Sequence, residues 1–161
     1  MFRSILLLTT ILFAVGSFAQ EAQGQVSGSS PHSFISASEL EWNPFEPEGF
    51  PLGARIAVVH GDPGREGEPY TVRISIPEDY EIPPHWHSGD ETLTVLSGTF
   101  LLAMGERRDE ARLDAFRAGD VLFIPAEHPH FGGAKGPTLV QLHGIGPFTT
   151  TVIEPVAASA R

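Results

Sequence analysis

The sequence predicts an all-β domain, a sandwich or barrel of short strands, on three observations. Glycine and proline are abundant, 17 and 14 in 161 residues, which supplies turn chemistry at close intervals and leaves little room for long helices. Between these breaks lie short runs rich in β-branched and aromatic residues. The chain is long enough for one good core and short for two, so a single active centre is expected.

The N-terminus reads as an export signal. Met1-Phe2-Arg3 supplies positive charge, residues 5–15 an apolar run, and Ser17-Phe18-Ala19 a small-x-small cleavage site. Residues 1–19 are therefore expected to be a signal peptide, and the mature protein to be periplasmic or secreted. The apolar run is shorter than the roughly 20 residues that span a bilayer, so no membrane association is expected after cleavage. Residues 20–33, QEAQGQVSGSSPHS, are polar and without period and are expected to be a flexible linker.

Residues 34–53 form an N-terminal arm in which Trp42, Phe45 and Phe50 are interspersed with prolines and glutamates. Such an arm packs on its own domain or on a neighbouring subunit, and the sequence leaves both open. Strands are then expected at 54–60, 70–76, 92–96, 99–104, 121–124, 138–143 and 148–153, within a domain covering 54–156. The first two end at Gly61-Asp62-Pro63-Gly64 and Pro77-Glu78-Asp79, both strong turn signals. The charged stretch 105–116 reads as a hairpin excursion between strands.

Charge narrows the partners. A net charge of −10 with a single lysine, Lys135, is the wrong sign for displacing counterions from a phosphate backbone, so no nucleic-acid partner is expected. Cysteine is absent, so neither disulfides nor thiolate ligands can contribute.

Two segments carry chemistry. In Pro83-Pro84-His85-Trp86-His87-Ser88-Gly89-Asp90-Glu91, residues two apart on a strand share a face, so His85 and His87 can reach one ion while Trp86 faces away. Glu91 shares their parity and can return to the same point after the turn at Ser88-Gly89-Asp90. The second segment, from Gly119 through Pro125 to His128 and His130, offers another imidazole from a distant strand. Three imidazoles and one carboxylate suit one divalent transition-metal ion: Fe, Mn, Ni, Cu, Co or Zn.

These segments resemble the two cupin motifs. The first reads His-x-His, three residues, Glu, six residues, Gly98; the second reads Gly119, five residues, Pro125, then His130 five positions on. The resemblance spans roughly residues 55–154 and implies a double-stranded β-helix, or jelly-roll, barrel with a metal held by His85, His87, Glu91 and His130. The stretch also resembles the cupin half of ChrR-like anti-sigma factors, without their separate sigma-binding zinc domain. Three positions depart from the family pattern: Asp79 and Glu127 stand where glycine is usual, and Ala134 where asparagine often closes the second motif.

Four further residues are candidates for the pocket. His128 shares strand parity with His130; Gln141 and His143 share one face of a late strand; Arg73 is a candidate anchor for an anionic substrate. The resemblance implies a metal-dependent enzyme, with dioxygenase-like oxidation or cleavage of a small organic molecule leading, and isomerisation or decarboxylation open. A non-catalytic binding or sensing module is the alternative from another class. A homodimer is expected, because small barrels leave strand edges to cover and the arm is a ready cover.

Overall fold

Alternating side chains build the fold. In the computed structural model, which describes residues 34–153, strand β3 (Pro69–Ile76) turns Tyr70, Val72, Ile74 and Ile76 inward and Thr71, Arg73 and Ser75 outward. Strand β10 (Thr138–Ile145) repeats the pattern with Val140 and Leu142 inside. These two join β1 (Asn43–Pro44), β2 (Arg55–His60), β5 (Glu91–Ser97) and β8 (Val121–Ile124) in a six-stranded sheet ordered β1-β2-β3-β10-β5-β8.

The second sheet has five strands, ordered β11-β4-β9-β6-β7: β4 (Glu81–His87), β6 (Thr99–Met104), β7 (Asp114–Arg117), β9 (His130–Ala134) and β11 (Thr150–Val152). Every pairing in both sheets is antiparallel. The inward faces share one core, with Val72, Leu93, Val95, Ile124 and Val140 from the first sheet meeting Phe100 and Leu102 from the second. Among the described residues the only helical pieces are two 3-10 turns, Ala37–Glu39 and Glu110–Arg112. None is long and apolar enough to cross a membrane. The all-β jelly-roll class expected from the sequence is the class observed. The proposed signal peptide and linker lie outside the described residues.

Of the two expectations for the arm, packing on its own domain is seen. Strand β1 pairs with β2 and so forms the edge of the sheet, and the arm is pinned on both sides of it. Phe45 N donates to the Ala54 carbonyl at 2.9 Å, Arg55 donates to the Trp42 carbonyl at 3.0 Å, and the Tyr80 hydroxyl donates to the Pro51 carbonyl at 2.6 Å. Phe45 and Phe50 pack against the core, so the arm forms a wall of its own barrel.

Residues 105–116 form the expected excursion: a turn and the 3-10 piece lead into β7, which returns antiparallel on β6. The strand expected to carry His130 is β9, and it continues through Phe131-Gly132-Gly133-Ala134, fully buried between β4 and β6. Glycine is what lets it fit, since a Cβ on Gly132 would run into the Leu101 carbonyl and one on Gly133 into the Tyr80 carbonyl.

Asp79 and Glu127, the two departures at family glycine positions, are the non-glycine residues with positive φ among those described, at 56° and 60°. The turn geometry has been kept although the glycine has not.

Candidate metal centre

Strand pairing assembles the imidazoles. His85 and His87 project from β4, and His130, the first residue of β9, is the register partner of His85. All three are buried, with ring centroids 4.2 to 5.3 Å apart. One nitrogen from each falls within 4.8 Å of the others. Glu91, at the start of β5, comes back to the same place: its Oε2 lies 3.3 Å from His87 Nε2 and 3.7 Å from His130 Nε2.

The outer nitrogens are all engaged. His85 Nδ1 lies 2.7 Å from the Pro83 carbonyl and His130 Nδ1 2.9 Å from the His128 carbonyl. His87 Nδ1 lies 3.3 Å from the Thr149 carbonyl and 3.2 Å from Thr150 Oγ1. A carbonyl only accepts, so each Nδ1 carries the proton and each Nε2 presents a lone pair inward. Two such lone pairs, on His85 and His87, face each other at 3.2 Å. That contact is repulsive between two acceptors and favourable around a shared cation.

The electrostatics agree with the geometry. Burial holds His85 well below its ordinary value, with the neighbouring imidazoles His130 and His87 adding to the effect. It brings His87 down to about 3, again with help from His130, and also lowers His130. The rings are thus neutral, as ligands must be. Burial alone pushes Glu91 up to about 7, and its Oε2 has no hydrogen-bond partner. An unpaired buried carboxylate is costly and is relieved by a nearby cation. Donor type, tautomer and the orphaned oxygen all fit a divalent transition-metal ion held by His85, His87 and His130, with Glu91 beside them.

Why the cluster holds its shape follows from local sequence. Pro83 and Pro84 have no N–H, and the β4–β9 ladder shifts register between Ile82 and His85. Arg108 fills the gap, donating from one guanidinium nitrogen to the Ile82 carbonyl at 3.2 Å and to the Gly132 carbonyl at 2.6 Å. Across the site, Glu127 N donates to the His87 carbonyl at 2.9 Å, tying the second motif's turn to the first motif's strand. Gly98 must be glycine: φ is +79°, and a Cβ would meet Thr138 Cα at 2.8 Å.

The cluster sits in the wall of a cavity of about 180 Å³ whose other lining is almost wholly apolar, including Phe50, Ile74, Phe100, Leu102, Val140 and Phe148. Phe148 stacks on His87 at 4.3 Å and Phe50 meets His85 edge-on at 5.1 Å.

The four other candidates lie elsewhere. His128 is exposed and its Nδ1 turns to the Ala126 carbonyl at 3.0 Å; only its own carbonyl serves the site, through His130. Val140 and Leu142 take the interior face of β10, which sends Gln141 and His143 outward, and the same alternation sends Arg73 out from β3. These three form an outer-face chain: Thr71 Oγ1 to His143 Nδ1 at 3.0 Å, His143 Nε2 to Gln141 Nε2 at 3.2 Å, and Arg73 Nε donating to Gln141 Oε1 at 3.0 Å. Arg73 is therefore no anchor inside the cavity. Sequence reasoning missed Arg108, hidden in the charged stretch, and Tyr70, whose place on an alternating apolar strand reads as core.

Comparison with known proteins agrees with this architecture. Residues 72–143 match the family model described as the cupin domain. No curated protein matches the sequence. Among solved structures, a protein provisionally named an acetylacetone dioxygenase, from Methylibium petroleiphilum PM1, is similar with TM-score 0.61 and 20% identity, covering 82% of this chain and 90% of that one. The polyketide cyclase RemF from Streptomyces resistomycificus aligns with TM-score 0.64 and 16% identity over 79% of this chain and 88% of its own. The DMSP lyase DddQ from Ruegeria pomeroyi DSS-3 gives 0.58 and 18%, over 80% and 75%. The motifs, the family match and the shared barrel agree that residues 72–143 belong to a cupin domain.

Proposed function

We propose that this protein is an exported, metal-dependent cupin enzyme that oxidises or cleaves a small organic molecule in the manner of a dioxygenase. The observation that carries the reading is the convergence of three inward Nε2 lone pairs, each fixed by an outer hydrogen bond, on the wall of a largely apolar cavity. A bound Fe, Mn, Ni, Cu, Co or Zn ion would supply a Lewis acid there, or a redox centre where the metal allows it.

Glu91 is read as a fourth ligand, because its orphaned oxygen already approaches two of the imidazoles. Oxidation leads on the cupin resemblance of the two motifs, and isomerisation or decarboxylation is the alternative, because Glu91 and Tyr70 on the cavity wall are groups that could carry a proton. The neighbours of this fold carry the names dioxygenase, cyclase and lyase, so fold alone does not choose the reaction.

The test is elemental analysis of the protein purified from its own host, followed by oxygen uptake against a panel of diketones, enols and phenols. A redox-active metal with uptake on one compound class supports the reading. A redox-inert metal without uptake moves it to isomerase, decarboxylase or pure binding. Export and a homodimer belong to the same proposal; sedimentation of the chain lacking residues 1–19 tests the second, a monomer at tens of micromolar counting against it.

A further inference from the structure

Among the described residues two buried side-chain polar atoms lack a hydrogen-bond partner: Glu91 Oε2 and the Tyr70 hydroxyl. The first is accounted for by the metal reading; the second is not. Tyr70 is 2% exposed and lines the same cavity as the histidine cluster.

The ring is held in place deliberately by its neighbours. Tyr70 on β3 faces Gly144 on β10, and a Cβ on Gly144 would come within 2.6 Å of the Tyr70 hydroxyl oxygen and 2.8 Å of Cζ. Only glycine leaves space for the ring to lie there. On its other side Phe148 sits 5.6 Å from Tyr70 and stacks on His87, so the tyrosine is one ring removed from the cluster.

The remaining wall is short of donors. The Tyr80 hydroxyl is committed to the Pro51 carbonyl and Thr150 Oγ1 lies against His87 Nδ1. No lysine, arginine or aspartate lines the cavity. We propose, building on the function proposed above, that the Tyr70 hydroxyl donates a hydrogen bond to an oxygen of the substrate, and that the substrate is a small oxygen-bearing compound with a hydrocarbon body and no second charged group.

The protonation state suits a donor. Burial, and then the charge of Glu91, raise the Tyr70 phenol above its ordinary value, so it remains a phenol at physiological pH. The size of the cavity, about 180 Å³, lies below the roughly 300 Å³ at which drug-sized ligand sites begin. A second charge on the ligand would be buried against isoleucine, leucine and phenylalanine without a partner.

The experiment uses the full chain loaded with cobalt(II) and titrated with pentane-2,4-dione, read by the cobalt d–d bands, for wild type and Y70F. The substitution removes one oxygen and leaves the ring. The expected result is a roughly three- to tenfold weaker dione affinity in Y70F, with cobalt stoichiometry unchanged and thermal midpoint equal or higher. Malonate, of similar length but doubly charged, is expected to bind wild type at least about tenfold more weakly than the dione. Equal dione affinity in the two proteins overturns the role of Tyr70, and so does loss of cobalt in Y70F, which would make the residue structural. Tighter malonate binding overturns the substrate class. A wild-type protein that takes no cobalt, or whose bands the dione leaves unmoved, overturns the proposed function and this inference with it.

Discussion

At residue scale, the backbone of Glu127 carries a cost that can be measured. A left-handed conformation costs an ordinary residue about 1–2 kcal/mol, and Glu127 adopts it at φ 60°. Glycine removes that strain but gains about 0.4–1 kcal/mol of unfolded-state freedom. Glu127→Gly should therefore stabilise the metal-free protein by roughly half to one kcal/mol. Asp79→Gly should gain less, because a short carboxylate tolerates this region better. Urea unfolding of both variants checks the order; destabilisation by Glu127→Gly would show that its side chain contributes something the geometry does not reveal.

The site's titrating groups set a second expectation. Burial holds His85, His87 and His130 below 6.5 and lifts Glu91 from 4.5 to about 7. Imidazoles with lowered folded values take up protons on unfolding, so their contribution to stability is lost as pH falls through the unfolded value of 6.5 and below. Glu91 has the opposite sign: its raised folded value favours the fold at low pH, a contribution lost as pH rises from 4.5 to about 7. Three imidazoles outweigh one carboxyl, so the urea midpoint of the metal-free protein should fall between pH 6.5 and about pH 5. A midpoint that rises on acidification would contradict the neutral, inward-facing cluster.

At the scale of elements, the β4–β9 junction is where the site is set, and Arg108 is its clasp. Arg108→Ala should leave the Ile82 and Gly132 carbonyls without their side-chain donor and loosen the strands that carry His85 and His130. Supporting residues of this kind typically change metal affinity about 10- to 100-fold. A metal titration reads it, and unchanged affinity would reduce Arg108 to a surface ion pair with Glu110 and Glu81.

The elements also show what could be read from the chain beforehand. Residues 99–104 and 121–124 are short apolar runs between turn signals, and β6 and β8 have those bounds. Strand β9 was legible only at His130, because the two glycines beyond it mimic a loop, when their lack of side chains is what lets the strand pack between two others. Gln141, His143 and Arg73 illustrate the limit of parity: alternation groups residues by face but does not say which face is inside. Their apolar neighbours Val140, Leu142 and Val72 decide that, by taking the core. Arg108 was invisible for a different reason, since nothing local distinguishes a clasp from a solvated charge.

At the scale of the whole molecule, the barrel and its arm make one enclosure. Phe45 and Phe50 come from the arm, Tyr70 and Val72 from the first sheet, and His85, His87 and His130 from the second, and all meet on one cavity. We propose that this enclosure holds a metal through those three histidines. The most direct measurement is a titration of the metal-free full chain with one divalent ion at fixed pH, for wild type, Glu91→Gln, His130→Ala and His128→Ala. Wild type should bind one ion. His130→Ala should lose most of the affinity, Glu91→Gln should weaken it and change the spectrum of the bound ion, and His128→Ala should retain it, because His128 points to the Ala126 carbonyl and away from the cluster. Metal lost from the His128 variant and kept by the His130 variant, or a wild type that binds none, would contradict the account.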